Sequence, residues 1–186
     1  MQKRPKSTII LGVTGSVAAF KACDVIGGLK KMGLDVVVVM TKEAAHFITP
    51  LTLQSLSCNK VYSDMFDEPA GWEPQHISLA ERADLILIAP CSANIIGKIA
   101  SGISDDLLTC TVISSKAKVL IAPAMNKNMY ANSIVQDNIT KLKAKGYKFI
   151  GPIKGHLVCG TEGIGHIARV EDILKEAKKL LNADIR

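Results

Sequence analysis

The sequence predicts an α/β fold built on a doubly wound parallel sheet. Three observations carry that prediction. Short apolar runs rich in β-branched residues recur along the chain, they alternate with segments of helical period, and polar or glycine-bearing turns follow the same end of each run. Apolar runs without period-2 alternation are the mark of strands covered on both faces. Strand–helix alternation gives parallel strands joined by right-handed crossovers.

The first strand is expected over 8–14 (TIILGVT) and a helix over 16–32, with Gly33 placed where a helix C-cap belongs. DVVVVM at 35–40 is the second strand. The stretch 58–76, with Pro69, Gly71, Trp72 and Pro74, breaks both periods and is expected to wander irregularly over the surface. DLILIAP at 84–90 is the third strand, followed by helices over 94–101 and 105–114. KVLIA at 118–122 is the fourth, a short helix follows Pro123, and a longer one spans 132–145, closed by Gly146. YKFI at 147–150 is the fifth strand, and the last helix covers 170–181, with Glu171 and Asp172 in its first turn, where the helix dipole favours acids. The 186 residues read as a single domain, 1–186, with no fused second domain expected.

Composition narrows the function classes. At 48% hydrophobic and 22% charged the chain is globular rather than disordered. The net charge is +6, but the basic residues are scattered and no basic stripe is interleaved with aromatics, which argues against nucleic-acid binding and leaves small anionic ligands. Five cysteines, at 23, 58, 91, 110 and 159, form no CxxC pair and have no metal-ligand spacing with the histidines. Free thiols in a reducing compartment, no metal, no membrane span and a cytoplasmic location are the expectation.

Gly15-Ser16, Thr41, Ser92-Ala93-Asn94 and Pro123 to Asn126 all follow strands, so all four turns fall on the carboxyl edge of the sheet, where open α/β folds bind ligands. The first turn offers helix N-terminal N–H groups to a phosphate, or is a tight strand–helix turn with Ser16 as N-cap. It is neither a dinucleotide G-x-G-x-x-G nor a Walker A loop. His76 reads as a solvated helix-terminal histidine or as an acid/base group. Asn126 reads as a helix cap or as an amide that can hold a carboxylate and release it. Cys159 reads as a core thiol or, among Gly160, Gly163 and Gly165, as a reactive group on a loop. Asp105-Asp106 suits a helix N-terminus. His46, His156 and His166 are expected to be structural or surface groups.

Taken together these motifs resemble the homo-oligomeric flavin-containing cysteine decarboxylases, in particular their branch acting on 4'-phosphopantothenoylcysteine. The family pattern P-x-M-N-x-x-M-W stands as Pro123-Ala124-Met125-Asn126-Lys127-Asn128-Met129-Tyr130, and L-x-C-G-x-x-G-x-G as Leu157-Val158-Cys159-Gly160-Thr161-Glu162-Gly163-Ile164-Gly165. The loop 15–18, the His76-Ile77 pair, Ser92-Ala93-Asn94 and 100–109 also match, in order, over nearly the whole chain. Tyr130 replaces a usual Trp, Ile95 a common Thr, and His166 stands where Arg, Lys or a small residue is common.

The resemblance implies a three-layer Rossmann- or flavodoxin-like flavoprotein. It implies FMN as cofactor, bound by Gly15, Ser16, Val17, Thr41, Ser92, Ala93, Asn94, Ile95 and Ala124 across a subunit boundary, in a trimer or a dodecamer of trimers. His76, Asn126 and Cys159 would be catalytic, with Asn126 and Met129 on the substrate and Cys159 donating a proton. The implied reaction is decarboxylation of 4'-phosphopantothenoylcysteine to 4'-phosphopantetheine on the way to coenzyme A. Peptidyl-cysteine decarboxylase, flavin prenyltransferase and a regulatory, non-enzymatic flavoprotein are the rival readings. The Cys159 motif speaks against the peptide enzymes, which stop at the enethiol. The lack of a long acidic tail speaks against a regulatory subunit.

Overall fold

Six parallel strands form the centre of the molecule in a computed structural model that describes residues 7–66, 73–156 and 162–183. They are β1 (Thr8–Val13), β2 (Asp35–Met40), β3 (Val61–Tyr62), β4 (Leu85–Cys91), β5 (Lys118–Pro123) and β6 (Lys148–Phe149), in the spatial order β3-β2-β1-β4-β5-β6. Ile10 of β1 lies beside Val37 on one side and Ile86 on the other. This order reverses between β1 and β4, which opens a crevice at their carboxyl ends.

The absence of alternation in the strands is explained by the two layers that cover them. Ile9, Leu11, Val36, Val38, Leu85 and Leu87 face one layer, made by α1 (Lys21–Lys31), α2 (Pro50–Ser57) and α8 (Val170–Asn182). Ile10, Val37, Val39, Ile86 and Ile88 face the other, made by α3 (Gln75–Arg82), α4 (Ala93–Ser101), α5 (Leu107–Ser114) and α7 (Ser133–Ala144). Each such fully buried side chain contributes about 1.5–3 kcal/mol relative to exposure. The layers approach closely where a side chain is missing: a Cβ on Gly12 would stand 2.7 Å from a methyl of Leu108, and one on Gly28 would overlap Leu174.

Helix ends follow local chemistry. Gly33 and Gly146 take the left-handed conformation (φ +81° and +94°) at the ends of α1 and α7, as the sequence predicts. Asp106 caps α5, accepting from Thr109 N–H at 2.8 Å, while Thr109 Oγ1 accepts from Asp106 N–H. Lys98 of α4 reaches Asp105 at 2.7 Å and Asp106 at 2.9 Å, which pins the α4–α5 corner. The helix-terminus reading of Asp105-Asp106 therefore holds.

Four parts differ from expectation. The helix expected over 16–32 begins as a 3-10 turn (Val17–Phe20) before α1. The segment 58–76 is not irregular throughout: it supplies the edge strand β3, beside β2, and the start of α3. Two residues are too few to show a strand pattern. α2 was not expected, because Leu53 is its one buried large hydrophobic residue and no apolar stripe marks it, although Thr49 caps it and Pro50 opens it. A separate antiparallel hairpin, β7 (Ile153–His156) with β8 (Glu162–His166), follows β6; the short helix expected after Pro123 is present as α6 (Lys127–Ala131).

Candidate active site

The crevice at the switch point begins with one hydroxyl. Thr14, fully buried at the end of β1, donates to the Pro90 carbonyl at 2.9 Å and accepts from Ser92 N–H at 2.9 Å. It ties the turn after β1 to the turn after β4. Ser16 then caps the 3-10 turn, its hydroxyl accepting from Ala18 N–H. Ser92 caps α4, accepting from Ile95 N–H. Two helix starts thus converge on one crevice, each with the N–H groups and positive dipole end that favour an anion.

The third turn follows β2. Thr41 N–H donates to the Val13 carbonyl at 3.0 Å, which holds the Thr41 turn against the end of β1. The Thr41 residue is only 4% exposed, and its Oγ1 has no hydrogen-bond partner among the described residues. Gly15 meets the next residues closely, since a Cβ there would stand 2.5 Å from Glu43 Cβ.

The fourth turn follows β5. Ala124 N–H donates to the Cys91 carbonyl at 3.0 Å, extending the sheet contact by one residue. Asn126 is the N-cap of α6, its Oδ1 accepting from Asn128 N–H at 2.8 Å. The cap assigns the two ends of the amide, so the NH2 group is the end that can donate to a ligand. The hairpin closes over this turn: Met125 N–H donates to the Gly165 carbonyl at 3.0 Å, and Gly163 lies against the side chain of Lys127. The two motifs that stand some thirty residues apart in sequence are therefore in contact.

These turns enclose a cavity of about 780 Å³, within the range of about 300–1,000 Å³ common for small-ligand sites. Gly15, Ser16, Val17, Thr41, Ser92, Ala93, Asn94, Ile95 and Ala124 all line it, as do Asn126 and Met129. Phe20, Lys21 and Glu43 line it too and carry no mark in the sequence; His166, noted there only as a departure from the motif, also lines it. The missed residues each lie one to four positions beyond a motif residue, and only their place on the wall marks them. His166, expected to be a structural or surface group, thus belongs to the cavity.

The wall suits FMN on its own chemistry. An unpartnered, buried hydroxyl at Thr41 is a donor waiting for an acceptor, since burying one without a hydrogen bond is costly. Two helix starts suit a phosphate, and the apolar wall around Val17, Phe20 and Ile95 suits a ring system.

The remaining expected residues fall elsewhere. His76 is the second residue of α3, half-buried, and does not line this chain's cavity. Cys159 lies outside the described residues. Cys91 is fully buried, and burial pushes its thiol well above the ordinary thiol range, so it is no nucleophile. Tyr130 packs against the second core layer and Ile95 is buried there, so both departures from the motif are absorbed by packing. Among the described residues no cluster of three His, Cys, Asp or Glu could hold a metal ion.

A family model described as Flavoprotein matches residues 1–182. The chain is 46% identical over 171 residues to the coenzyme A biosynthesis bifunctional protein CoaBC of Bacillus subtilis (strain 168), covering 92% of this chain and 42% of that protein. It therefore spans about two fifths of the length of that bifunctional relative. It is 44% identical over 175 residues to a probable phosphopantothenoylcysteine decarboxylase of Streptococcus mutans serotype c, covering 93% of this chain and 98% of that one. Among solved structures it is similar to a cysteine-to-serine mutant of PPC decarboxylase complexed with pantothenoylaminoethenethiol, with a TM-score of 0.88, 32% identity and coverage of 96% and 100%. It is also similar to the FMN binding protein AtHal3, with a TM-score of 0.85, 32% identity and coverage of 96% and 98%.

Proposed function

The chain belongs to the flavoprotein family, and from that premise we propose that it is an FMN-dependent decarboxylase, converting 4'-phosphopantothenoylcysteine to 4'-phosphopantetheine in coenzyme A biosynthesis. The observation that carries this reading is the convergence of all four strand-end turns, with Asn126 among them, on one cavity whose wall bears an unsatisfied buried hydroxyl. The names of its relatives point the same way.

FMN, when bound, supplies the two-electron acceptor that turns the substrate thiol into a thioaldehyde, whose C=S can take up the electrons left by departing CO2, and the donor that re-reduces the resulting enethiol. Gly15, Ser16, Val17 and the turn from Ser92 to Ile95 hold it, with Thr41 donating a hydrogen bond and Ala124 closing the wall. Asn126 grips the substrate carboxylate through its NH2 group, and Met129 packs beside it. A neutral amide suits this task, because a fixed cation would stabilise the carboxylate in the ground state more than in the transition state that loses it. Cys159 delivers the proton that completes re-reduction.

His76 acts on the carboxylate from a neighbouring subunit. Its absence from the cavity of its own chain supports a homo-oligomer, a trimer or a dodecamer of trimers, in which each site is completed by a second copy. We place the enzyme in the cytoplasm, consistent with the free thiols of Cys23, Cys58, Cys91 and Cys110 and with the absence, among the described residues, of a helix long and apolar enough to cross a membrane.

The test is incubation of the yellow, FMN-loaded protein with 4'-phosphopantothenoylcysteine, followed by mass spectrometry. Loss of CO2 with both hydrogens retained supports the reading. Loss of CO2 together with two hydrogens makes the chain an oxidative cysteine decarboxylase instead, and no loss of CO2 rejects both. In Cys159→Ser the expected product is the enethiol, and normal turnover would remove that residue's role.

A further inference from the structure

We infer that His166 is a second anion-binding residue of this cavity: as an imidazolium it donates from Nε2 to an anionic oxygen of the substrate, on its carboxylate or its phosphate. The inference rests on the proposed activity and names a residue for which that activity has no use so far. His166 lines the cavity with Asn126 and Met125 and is exposed to it. It directly follows Gly165, whose carbonyl is held by Met125 N–H at 3.0 Å, so the hairpin fixes its position relative to the Asn126 turn.

The ring itself is oriented twice. It lies over Gly155 of β7, where a Cβ would stand 3.3 Å from both Cβ and Cγ of His166 and 3.5 Å from Cδ2. Its Nδ1 is 3.0 Å from the Ile167 carbonyl oxygen. A carbonyl oxygen only accepts, so Nδ1 carries a proton in the neutral and the cationic ring alike. Nε2 is then the nitrogen left to face a ligand. Neutral, it presents a lone pair that repels an anionic oxygen; protonated, it presents a charge-assisted donor.

The charged groups on the surrounding elements are Lys154 on β7, Lys127 on α6, and Lys21 and Glu43 on the cavity wall. Lys21 is the only lysine or arginine among the described residues of that wall. A substrate carrying both a carboxylate and a phosphate therefore gains from a further cation, and His166 supplies one when its ring binds as the imidazolium.

The experiment compares wild type, His166→Ala and His166→Arg, all loaded with FMN, under one set of conditions. KM should be on the order of tenfold higher in the Ala variant than in wild type, with kcat little changed, corresponding to the loss of one charge-assisted hydrogen bond. The Arg variant, which retains a charged donor, should keep a low KM. Pantothenoylcysteine, which lacks the phosphate, separates the two anions. The same contrast with both substrates assigns the carboxylate, and a contrast confined to the phosphorylated substrate assigns the phosphate. Calorimetric titration of the same proteins with the serine analogues of both compounds, which have no thiol to oxidise, gives affinities that do not depend on turnover. If wild type binds but releases no CO2, the proposed activity fails while the calorimetric contrast still decides His166. Three proteins with equal KM values and equal affinities would overturn the inference.

Discussion

Met125 donates its backbone N–H to the carbonyl of Gly165 at 3.0 Å, and the backbone of Gly165 passes so close that a Cβ there would overlap the Met125 carbonyl oxygen. One strand of the hairpin is thereby laid flat on the turn that carries Asn126. Gly165→Ala must push these backbones apart. Its expected cost is about 1–3 kcal/mol, as for other overpacked sites, with a lower Tm and at least a tenfold fall in kcat/KM. Gly163→Ala should be milder, because there the crowding atoms belong to the flexible side chain of Lys127. Equal effects of the two substitutions would show that the close approach at Gly165 does not matter.

Thr41 makes a prediction with opposite signs in two states. Its buried Oγ1 lacks a partner among the described residues. Thr41→Val removes that unsatisfied group at nearly constant volume, so the FMN-free protein should keep or raise its Tm. FMN affinity should fall by up to about tenfold, the worth of one hydrogen bond at about 0.5–1.5 kcal/mol. Thermal melts and fluorescence titration with FMN check the two halves. An unchanged FMN affinity would take Thr41 out of the site.

Asn126→Asp keeps an oxygen to cap α6, so the helix should stay folded. The new carboxylate repels the carboxylate of the substrate. Decarboxylation should fall more than a hundredfold while the flavin content of the purified protein stays the same. If His76 completes the site of a neighbouring subunit, oligomers mixed from His76→Asn and Asn126→Asp chains should recover activity that neither variant shows alone. Mixed oligomers as inactive as their parents would place both residues in one chain's site.

The Lys98 corner has a pH signature. The Lys98 ammonium holds the Asp105 carboxyl below its ordinary range, chiefly by its hydrogen bond. Burial opposes the charge on Lys98, but the hydrogen bonds to Asp105 and then Asp106 outweigh it and raise the amine. A carboxyl held low stabilises the fold above its unfolded value of ~3.9 and loses that contribution as pH falls through its lower folded value. An amine held high stabilises below its unfolded value of ~10.4 and loses that contribution as pH rises through its higher folded value. The Tm difference between wild type and Lys98→Met should therefore be flat between about pH 5 and pH 9 and shrink beyond both ends. A difference that does not vary with pH would mean that the methionine acts through packing alone.

Much of the site was legible because its residues sit where strands end. Gly15, Thr41, Ser92 and Ala124 follow four apolar runs, and a parallel sheet brings all such ends to one edge whatever the details of packing. The parts that were not legible lack a local signal. Strand β3 is two residues long, α2 carries no apolar stripe, and the β7–β8 hairpin is rich in glycine, which reads as loop. Phe20, Lys21 and Glu43 are ordinary residues in sequence and become wall residues only through the path of the chain.

The sequence by itself determined the alternation of buried strands and helices, the caps that end them and the edge on which the functional turns fall, because each of these is encoded within a few residues by burial pattern, by turn chemistry or by the direction of a strand. Tertiary structure alone decided that Thr14 would bridge Pro90 and Ser92, that Gly165 would lie on Met125, that Thr41 would be left with an unanswered hydroxyl and that His166 would face the cavity. Those relations join residues far apart in the chain. No local preference encodes such a distance, which is fixed only when the layers have packed.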